Sequence, residues 1–176
     1  MKTYIITDTH FDHKNIEKWT NRKKGWQERL YRNFVDTVNP EDTVIHLGDI
    51  AFKNDEKWNV ALTTISNHNI LIKGNHDQKS YSWYLKFWDC VCERMDLYMY
   101  GQNIVLSHKP VRIYENQINL HGHFHNAGLE KAFYIEPDLG RLYTPNHCLV
   151  KLEGINNVQN MEKLVRKFIN KKGKQK

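Results

Sequence analysis

Cysteine, proline and extended apolar segments are all scarce in this chain of 176 residues. The three cysteines, Cys90, Cys92 and Cys148, are too few and too unevenly spaced for a disulfide scaffold, so we expect reduced thiols. Apolar runs such as Ile104 to Leu106 fall far short of the ~18 residues of a membrane helix. Met1 to Tyr4 lead directly into a strand-like run without the apolar region of a secretion signal, which favours a cytoplasmic location.

The net charge of +6 originates at the C-terminal end of the chain. Residues 161–176 contain seven Lys/Arg and one Asp/Glu, whereas the remainder contains 19 of each sign. A basic tail can contact nucleic acid or acidic partners, but a solvated helix with a frayed end explains the same residues and is favoured. We therefore predict a single domain over residues 1–170 and a basic, frayed tail over 171–176, with nucleic acid as a less favoured partner.

Hydrophobic periodicity predicts alternating strands and helices in the first half. The apolar segments 4–7, 43–47 and 69–73 are typical of buried strands. Apolar side chains recur at helical spacing from Trp26 to Val38 and from Trp58 to Ile65. This β-α-β-α-β order favours an α/β fold with parallel strands at its centre.

The second half is richer in predicted strands and ends in an amphipathic helix. The strand candidates are Leu97–Tyr100, Asn103–Leu106, Ile118–Leu120, Leu142–Tyr143 and Cys148–Leu152. Apolar residues from Met161 to Phe168 mark the final helix. The simplest arrangement is an α/β fold in which two packed mixed sheets form a β-sandwich flanked by helices.

Each predicted strand end is followed by residues that can bind metal ions. The motifs are Asp8-Thr9-His10, Gly48-Asp49, Gly74-Asn75-His76-Asp77, Ser107-His108 and His121-Gly122-His123-Phe124-His125. In open α/β sheets, ligands bind beyond the carboxyl ends of the strands, which is where these motifs fall. Carboxylate, imidazole and amide oxygen suit divalent metals such as manganese, iron, zinc or nickel.

This ordered series resembles the calcineurin-like metallophosphoesterases, and its motifs span residues 8–125. The resemblance implies a β-sandwich flanked by helices and a centre of two divalent metal ions. It assigns one metal to Asp8, His10, Asp49 and His125, and the second to Asp49, Asn75, His108 and His123, so that Asp49 bridges them. It also implies that His76 faces the substrate and acts in catalysis. Asp77, beside it, is a weaker catalytic candidate that would steady His76.

Such a centre suits the hydrolysis of phosphate esters. Two metals about 3.5–4 Å apart lower the pKa of a bridging water and clamp phosphate oxygens, so that a bridging hydroxide attacks phosphorus in line. His76 would give a proton to the leaving oxygen. The predicted function is a phosphodiesterase acting on a nucleotide-like or other small phosphodiester. A nuclease, a phosphomonoesterase and a catalytically silent scaffold are the alternatives.

Two further features remain open on the sequence alone. His13, with Lys14 beside it, could contact the substrate phosphate, because segment 14–32 carries seven Lys/Arg against two Glu; a solvated helical face explains the same charges equally well. The aromatic residues of segment 81–88 could stack a nucleobase, although their helical spacing favours packing in the core. The Asp-Arg pair of the related Ser/Thr phosphatases is missing from Ile50 to Lys53, which disfavours a phosphoprotein substrate.

Overall fold

The computed structural model describes residues 1–126, 134 and 136–173. In chain order its elements are β1 (Thr3–Ile6), α1 (Ile16–Thr20), α2 (Trp26–Thr37), β2 (Thr43–His46), α3 (Asp55–Thr63), β3 (His68–Ile72), α4 (Tyr81–Tyr84), β4 (Cys90–Cys92), β5 (Arg94–Met99), β6 (Gln102–Ser107), β7 (Gln117–His121), α5 (Pro137–Leu142), β8 (His147–Leu149), β9 (Gln159–Asn160) and α6 (Met161–Gly173).

The strands form two mixed sheets. The first has the order β4-β3-β2-β1-β9, in which β1 to β4 are parallel and β9 is antiparallel. The second has the order β5-β6-β7-β8, in which only the edge strand β5 runs antiparallel to its neighbour. Together with the helices, the two sheets confirm the predicted α/β fold class.

The sheets pack face to face through a shared apolar layer. Alternate residues of β1 and β2 contribute to it, since Ile5 and Ile45 belong to the same cluster as Leu106 and Leu120 of the second sheet. Val165 of helix α6 joins this cluster. Each of these side chains is almost fully buried, which stabilises the fold by roughly 1.5–3 kcal/mol per side chain.

The opposite face of the first sheet is covered by helices. Tyr4 and Ile6 of β1 lie in one cluster with Leu30 and Phe34 of α2 and Leu62 of α3. Both faces of β1 are therefore buried, which explains why its sequence is continuously apolar rather than alternating.

Most predicted elements agree with the structure, and one does not. The strand predicted over Leu142–Tyr143 is wrong, because Leu142 is the last residue of α5 and Tyr143 is its C-cap. In segment 81–88, Tyr84 and Trp88 are buried in the core, as the packing interpretation requires.

Helix α6 includes residues 171–173 of the segment predicted as a tail, while residues 174–176 lie outside the described part. Its last turn carries Lys171 and Lys172, which interact favourably with the negative end of the helix dipole. Within the described residues, no helix combines the length and the apolar character needed to cross a bilayer.

Candidate metal centre

The carboxyl ends of five strands, three in the first sheet and two in the second, deliver the candidate site. The loops after β1 and β2 continue to pair through their backbones, since the Asp8 amide donates to the Gly48 carbonyl at 3.0 Å and the His10 amide to the Asp49 carbonyl at 2.9 Å. The loop after β7 joins them, because the His123 amide donates to the Asp8 carboxylate at 3.0–3.1 Å. Both sheets therefore contribute to one site.

Two clusters of metal-binding side chains form there. The first contains Asp8, His10 and His125, and the second contains Asp49, His108 and His123. Within each cluster the ligand atoms lie within 4.8 Å of one another. Asn75 lies beside the second cluster, with its Oδ1 atom 3.0 Å from His108 Nε2. The structure thus brings together all seven residues predicted as metal ligands.

Asp49, a member of the second cluster, also lies close to the first. Its Oδ2 atom is 3.4 Å from His10 Nε2 and 3.3 Å from His108 Nε2. Its Oδ1 atom accepts a hydrogen bond from the His76 amide at 2.9 Å. One carboxylate oxygen is therefore within reach of both groups, which is the placement expected of a bridging ligand.

The state of His10 fits a metal ligand. Burial lowers the pKa of its imidazole to about 3, despite the nearby Asp49 charge. Both ring nitrogens are buried, and neither has a hydrogen-bond partner among the described residues. A neutral imidazole with no partner for its nitrogens is costly in a folded protein, and a metal ion would satisfy it because metal ligands must be deprotonated.

Asp49 and His108 attract one another as an ion pair. Burial alone would raise the pKa of Asp49, but the hydrogen bond and charge of His108 lower it below the usual range. Burial would lower the pKa of His108, yet Asp49 and the Asp8 charge raise it to about 9. A cation at this position would therefore compete with the proton on His108 for the Asp49 carboxylate.

The backbone at the site has an unusual conformation. Five ligand candidates have φ in the left-handed region: 51° at Asp8, 45° at His10, 59° at Asp49, 71° at His123 and 50° at His125. Asp and His tolerate this region better than most residues, but it still costs on the order of 1–3 kcal/mol each. Such strain is typical of functional sites, and periodicity in the sequence does not reveal it.

A buried ion pair, missed by sequence reasoning, supports the first cluster. The Glu153 Oε1 atom is 2.9 Å from His125 Nδ1 and 2.7 Å from Arg22 Nη2, and these two partners lie 28 and 131 positions away in the chain. Arg22 also donates to the carbonyls of Asp8 at 2.6 Å and Thr9 at 2.7 Å. The pair therefore orients both the His125 ring and the loop after β1.

The buried His46 side chain connects the loops after β1 and β2. The Gly48 amide donates to His46 Nδ1 at 3.0 Å, so Nε2 carries the proton and donates to Thr9 Oγ1 at 3.0 Å. Thr9 in turn donates to the Ile50 carbonyl at 2.7 Å. Burial lowers the pKa of His46 to about 3, which keeps the ring neutral.

A glutamate also supports the second cluster, as Glu153 supports the first. Glu136 hydrogen bonds through Oε1 to His123 Nε2, and its Oε2 atom accepts from Lys109 Nζ at 2.9 Å. Glu136 is 13 residues beyond His123 in the chain and follows no recognisable motif, so the sequence carries no signal for this contact.

Asp77 is buried beside His76 and connects two loops of the site. Its carboxylate accepts hydrogen bonds from the backbone amides of Asp49 and Gly74 at 2.8 Å each and of Ile50 at 3.0 Å. The predicted contact with His76 is not among its hydrogen bonds. Asp77 therefore ties the loop after β2 to the loop after β3, and its catalytic role remains a prediction.

The candidate substrate-facing residues lie at the rim of the clusters. The exposed His76 ring is 5.4 Å from the His10 ring, and the half-buried His13 ring is 5.9 Å from it, measured between centroids. Lys14 is exposed and makes no hydrogen bond or ion pair with the described part of the chain. His13 is thus adjacent to the site, while nothing in the structure fixes Lys14 against it.

Sequence and structure comparisons find relatives of this chain. The sequence model of the calcineurin-like phosphoesterase superfamily domain matches residues 1–142. An uncharacterized protein of Methanocaldococcus jannaschii is 30% identical over 146 residues, which cover 77% of this chain and 76% of that protein. The crystal structure of an Aquifex aeolicus protein of unknown function is similar with a TM-score of 0.73 and 25% identity, covering 94% of this chain and 98% of that one. The E. coli phosphoesterase YfcE has a TM-score of 0.49 and 12% identity, over 92% and 82% of the two chains.

Proposed function

This chain belongs to the calcineurin-like phosphoesterase superfamily, and from its site we propose that it is a dinuclear metal-dependent phosphodiesterase acting on a nucleotide-like or other small phosphodiester. Membership implies a phosphate-ester substrate and hydrolysis of that ester. The observation that supports the dinuclear centre most directly is the position of Asp49 Oδ2, within 3.4 Å of a ligand candidate from each cluster.

The proposed ligands follow the two clusters. Asp8, His10, Asp49 and His125 would hold one divalent ion, and Asp49, Asn75, His108 and His123 the other, with manganese as the first choice. Two such ions would lower the pKa of a bound water and neutralise charge on the phosphate oxygens. The Asp77 carboxylate fixes the Asp49 loop, so the bridging oxygen stays in place between the clusters.

His76 is the proposed proton donor to the leaving oxygen. Its amide donates to Asp49 Oδ1 at 2.9 Å, which holds its backbone beside the bridging carboxylate. Its ring is exposed and therefore accessible to substrate. An imidazole that reaches the leaving oxygen can donate its ring proton to it, which is the role of a general acid.

A small substrate agrees better with the charge distribution than a polynucleotide does. Residues 1–160 carry equal numbers of acidic and basic side chains, and the excess of positive charge begins in helix α6. Polynucleotide binding depends on a surface of Lys and Arg that neutralises many phosphates. Binding of single-stranded DNA that weakens steeply with added salt would favour the nuclease alternative.

The test compares hydrolysis of bis(p-nitrophenyl) phosphate with that of p-nitrophenyl phosphate, each with added manganese and with chelator. We expect turnover of the diester that requires metal and is lost in Asp49→Asn. The matched control is Asp96→Asn, since Asp96 is exposed and pairs with Arg94 on the edge strand β5. Preference for the monoester would change the reaction to that of a phosphatase, and turnover that survives both chelator and Asp49→Asn would overturn the proposed centre.

A further inference from the structure

A cavity of about 370 Å³ adjoins the proposed metal centre. Its lining residues are Ala51, Phe52, Asp55, His76, Gln78 and Lys79. His76 lines the cavity and also lies beside the proposed metal centre, since its ring is 5.4 Å from that of His10. A substrate whose phosphate occupies the centre would therefore have its next chemical group at the mouth of this cavity.

Phe52 presents an aromatic face in the cavity wall. Its side chain is 51% exposed, so part of the ring is accessible to a ligand. Its backbone is fixed, because the Phe52 amide donates to the Phe11 carbonyl at 2.8 Å. The His13 ring packs edge-on against it at 4.4 Å, and the His76 ring lies 6.2 Å away. A ring held in this way is a ready platform for stacking a planar group.

The polar groups of the cavity indicate what that planar group carries. The side chains of Asp55, Gln78 and Lys79 form no hydrogen bond with the described residues, so their donors and acceptors are free for a ligand. The Asp55 carboxylate accepts N–H groups, and its charge is opposite to that of Lys79, so the two together add no net charge to the lining. A neutral ring with N–H donors and carbonyl or nitrogen acceptors, which describes a nucleobase, matches this set.

The aromatic residues of segment 81–88 do not line this cavity, although Tyr81 is 41% exposed. Tyr84 and Trp88 are 1% and 2% exposed, so their faces are committed to the core. Phe52 is the exposed aromatic ring in the cavity wall, and its ring lies 4.4 Å from that of His13 and 6.2 Å from that of His76.

We propose that this cavity binds the nucleobase of a nucleoside phosphodiester whose phosphate lies at the metal centre. Phe52 stacks on the base, and Asp55 accepts a hydrogen bond from a base N–H. This inference rests on the proposed function and adds the substrate class to it. Phe52 and Asp55 determine specificity and take no part in the chemical step.

The test uses two diesters with the same leaving group. Thymidine 5′-(p-nitrophenyl phosphate) and methyl p-nitrophenyl phosphate both release p-nitrophenolate, so they differ in the nucleoside alone. The quantity compared is the ratio of their kcat/KM values in the manganese-loaded protein. We expect the ratio to favour the nucleoside ester in the wild type and to fall roughly tenfold in Phe52→Leu, the scale of one lost base-stacking contact.

Matched variants separate the cavity from general effects. Phe52→Tyr keeps the ring and should keep the ratio, and Tyr98→Leu removes a 73% exposed aromatic side chain from β5, outside the cavity. Asp55→Asn should lower the ratio, whereas Glu56→Gln, one position further along helix α3 and not part of the lining, should not. A ratio near one in the wild type, or an unchanged ratio in Phe52→Leu, would overturn the proposal.

A binding experiment distinguishes failure of this inference from failure of the proposed function. If neither diester is hydrolysed, the phosphodiesterase proposal fails, and calorimetric titration with thymidine 5′-monophosphate tests the cavity directly. Affinity that drops roughly tenfold in Phe52→Leu and persists in Tyr98→Leu would support base binding there. Equal affinity of Phe52→Leu and wild type would exclude it.

Discussion

His76 contacts the site through its backbone and faces solvent through its ring. Because the ring is not among the proposed metal ligands, His76→Ala should retain both metals while turnover of the diester falls roughly 10²- to 10⁴-fold. Elemental analysis measures whether the metals are retained, and kcat for bis(p-nitrophenyl) phosphate measures the loss of turnover. His68→Ala, at the start of β3, is a suitable control. Full activity of His76→Ala would remove the residue from the mechanism.

Glu153 positions His125, one of the proposed metal ligands. Its carboxylate bonds to His125 Nδ1 and to the buried Arg22 guanidinium. Glu153→Gln removes the charge but keeps the shape, so we expect metal affinity to fall roughly 10- to 100-fold. Titration of the protein against a competing chelator measures this change. Glu162→Gln, which removes an exposed partner of Arg166 on α6, should leave the affinity as it is, and a loss of equal size in both variants would contradict the assignment.

His46 predicts how stability depends on pH. Its pKa is about 3 in the folded protein and about 6.5 when unfolded, so between these values the unfolded chain binds a proton that the native state does not. Stability contributed by neutral His46 is therefore present above pH 6.5 and is lost as the pH falls. Lowering the pH from 7 to 5 should cost about 2 kcal/mol through this residue.

Urea unfolding in chelator at both pH values provides the measurement. His46→Gln has no titrating ring, so its loss of stability between pH 7 and 5 should be smaller than that of the wild type by about 2 kcal/mol. His68→Gln, whose parent side chain is exposed, should keep the wild-type difference. Identical losses in His46→Gln and wild type would show that His46 is not the group responsible.

The sequence predicts the site residues best where they lie in short motifs at the ends of strands. Asp8, Asp49 and His123 could be predicted because each follows a strand directly, and parallel strands bring their carboxyl ends together. Glu153 and Arg22 could not, because they lie 131 positions apart and belong to no motif. Contacts of that kind depend on tertiary packing, which composition and periodicity do not encode.

At the scale of secondary structure, short elements are difficult to predict from the sequence. Strand β4 has three residues and pairs only with β3, so it is too short to display a period. The apolar pair at Leu142–Tyr143 suggests a strand, but Pro137 at the first turn starts a helix that includes Leu142. Helix α2, with twelve residues and buried Trp26, Leu30 and Phe34, was predicted correctly because its apolar face repeats over three turns.

The loop after β7 depends on a glycine at its closest approach to β1. A Cβ atom at Gly122 would overlap Thr7 Oγ1 and Asp8 Oδ2. Gly122→Ala should therefore displace the Asp8 carboxylate, weaken metal binding at least tenfold and lower the free energy of unfolding by about 1–3 kcal/mol. Thermal unfolding and chelator competition measure both effects. Gly173→Ala has open space around its Cβ and serves as control; unchanged metal affinity in Gly122→Ala would show that the loop can adjust.

At the scale of the whole molecule, each cluster joins the two sheets. Asp8 and His10 follow β1 of the first sheet and meet His125, which follows β7 of the second. Asp49 likewise meets His108 and His123. A metal ion bound to either cluster would therefore cross-link the sheets at one end, in addition to the apolar layer between them.

Metal removal should consequently lower the stability of the entire fold. Manganese at a hundredfold excess over its dissociation constant should stabilise the native state by about 2.7 kcal/mol per site, provided it does not bind the unfolded chain. Differential scanning calorimetry with manganese and with chelator measures the shift in Tm. The shift should be strongly reduced in Asp49→Asn and retained in Asp96→Asn, and a Tm independent of manganese would argue against metal ions that link the sheets.

The left-handed backbone at five of the ligand candidates has a consequence for how such a protein can diverge over time. Each of these positions is restricted twice, by the atom that it must offer and by a main-chain geometry that β-branched and bulky residues adopt poorly. Exchange of one ligand type for another therefore carries a folding penalty as well as a chemical one. Phe52 itself lies outside the left-handed region and its side chain is exposed, so substitutions at this position can change substrate preference while the ligand candidates stay the same.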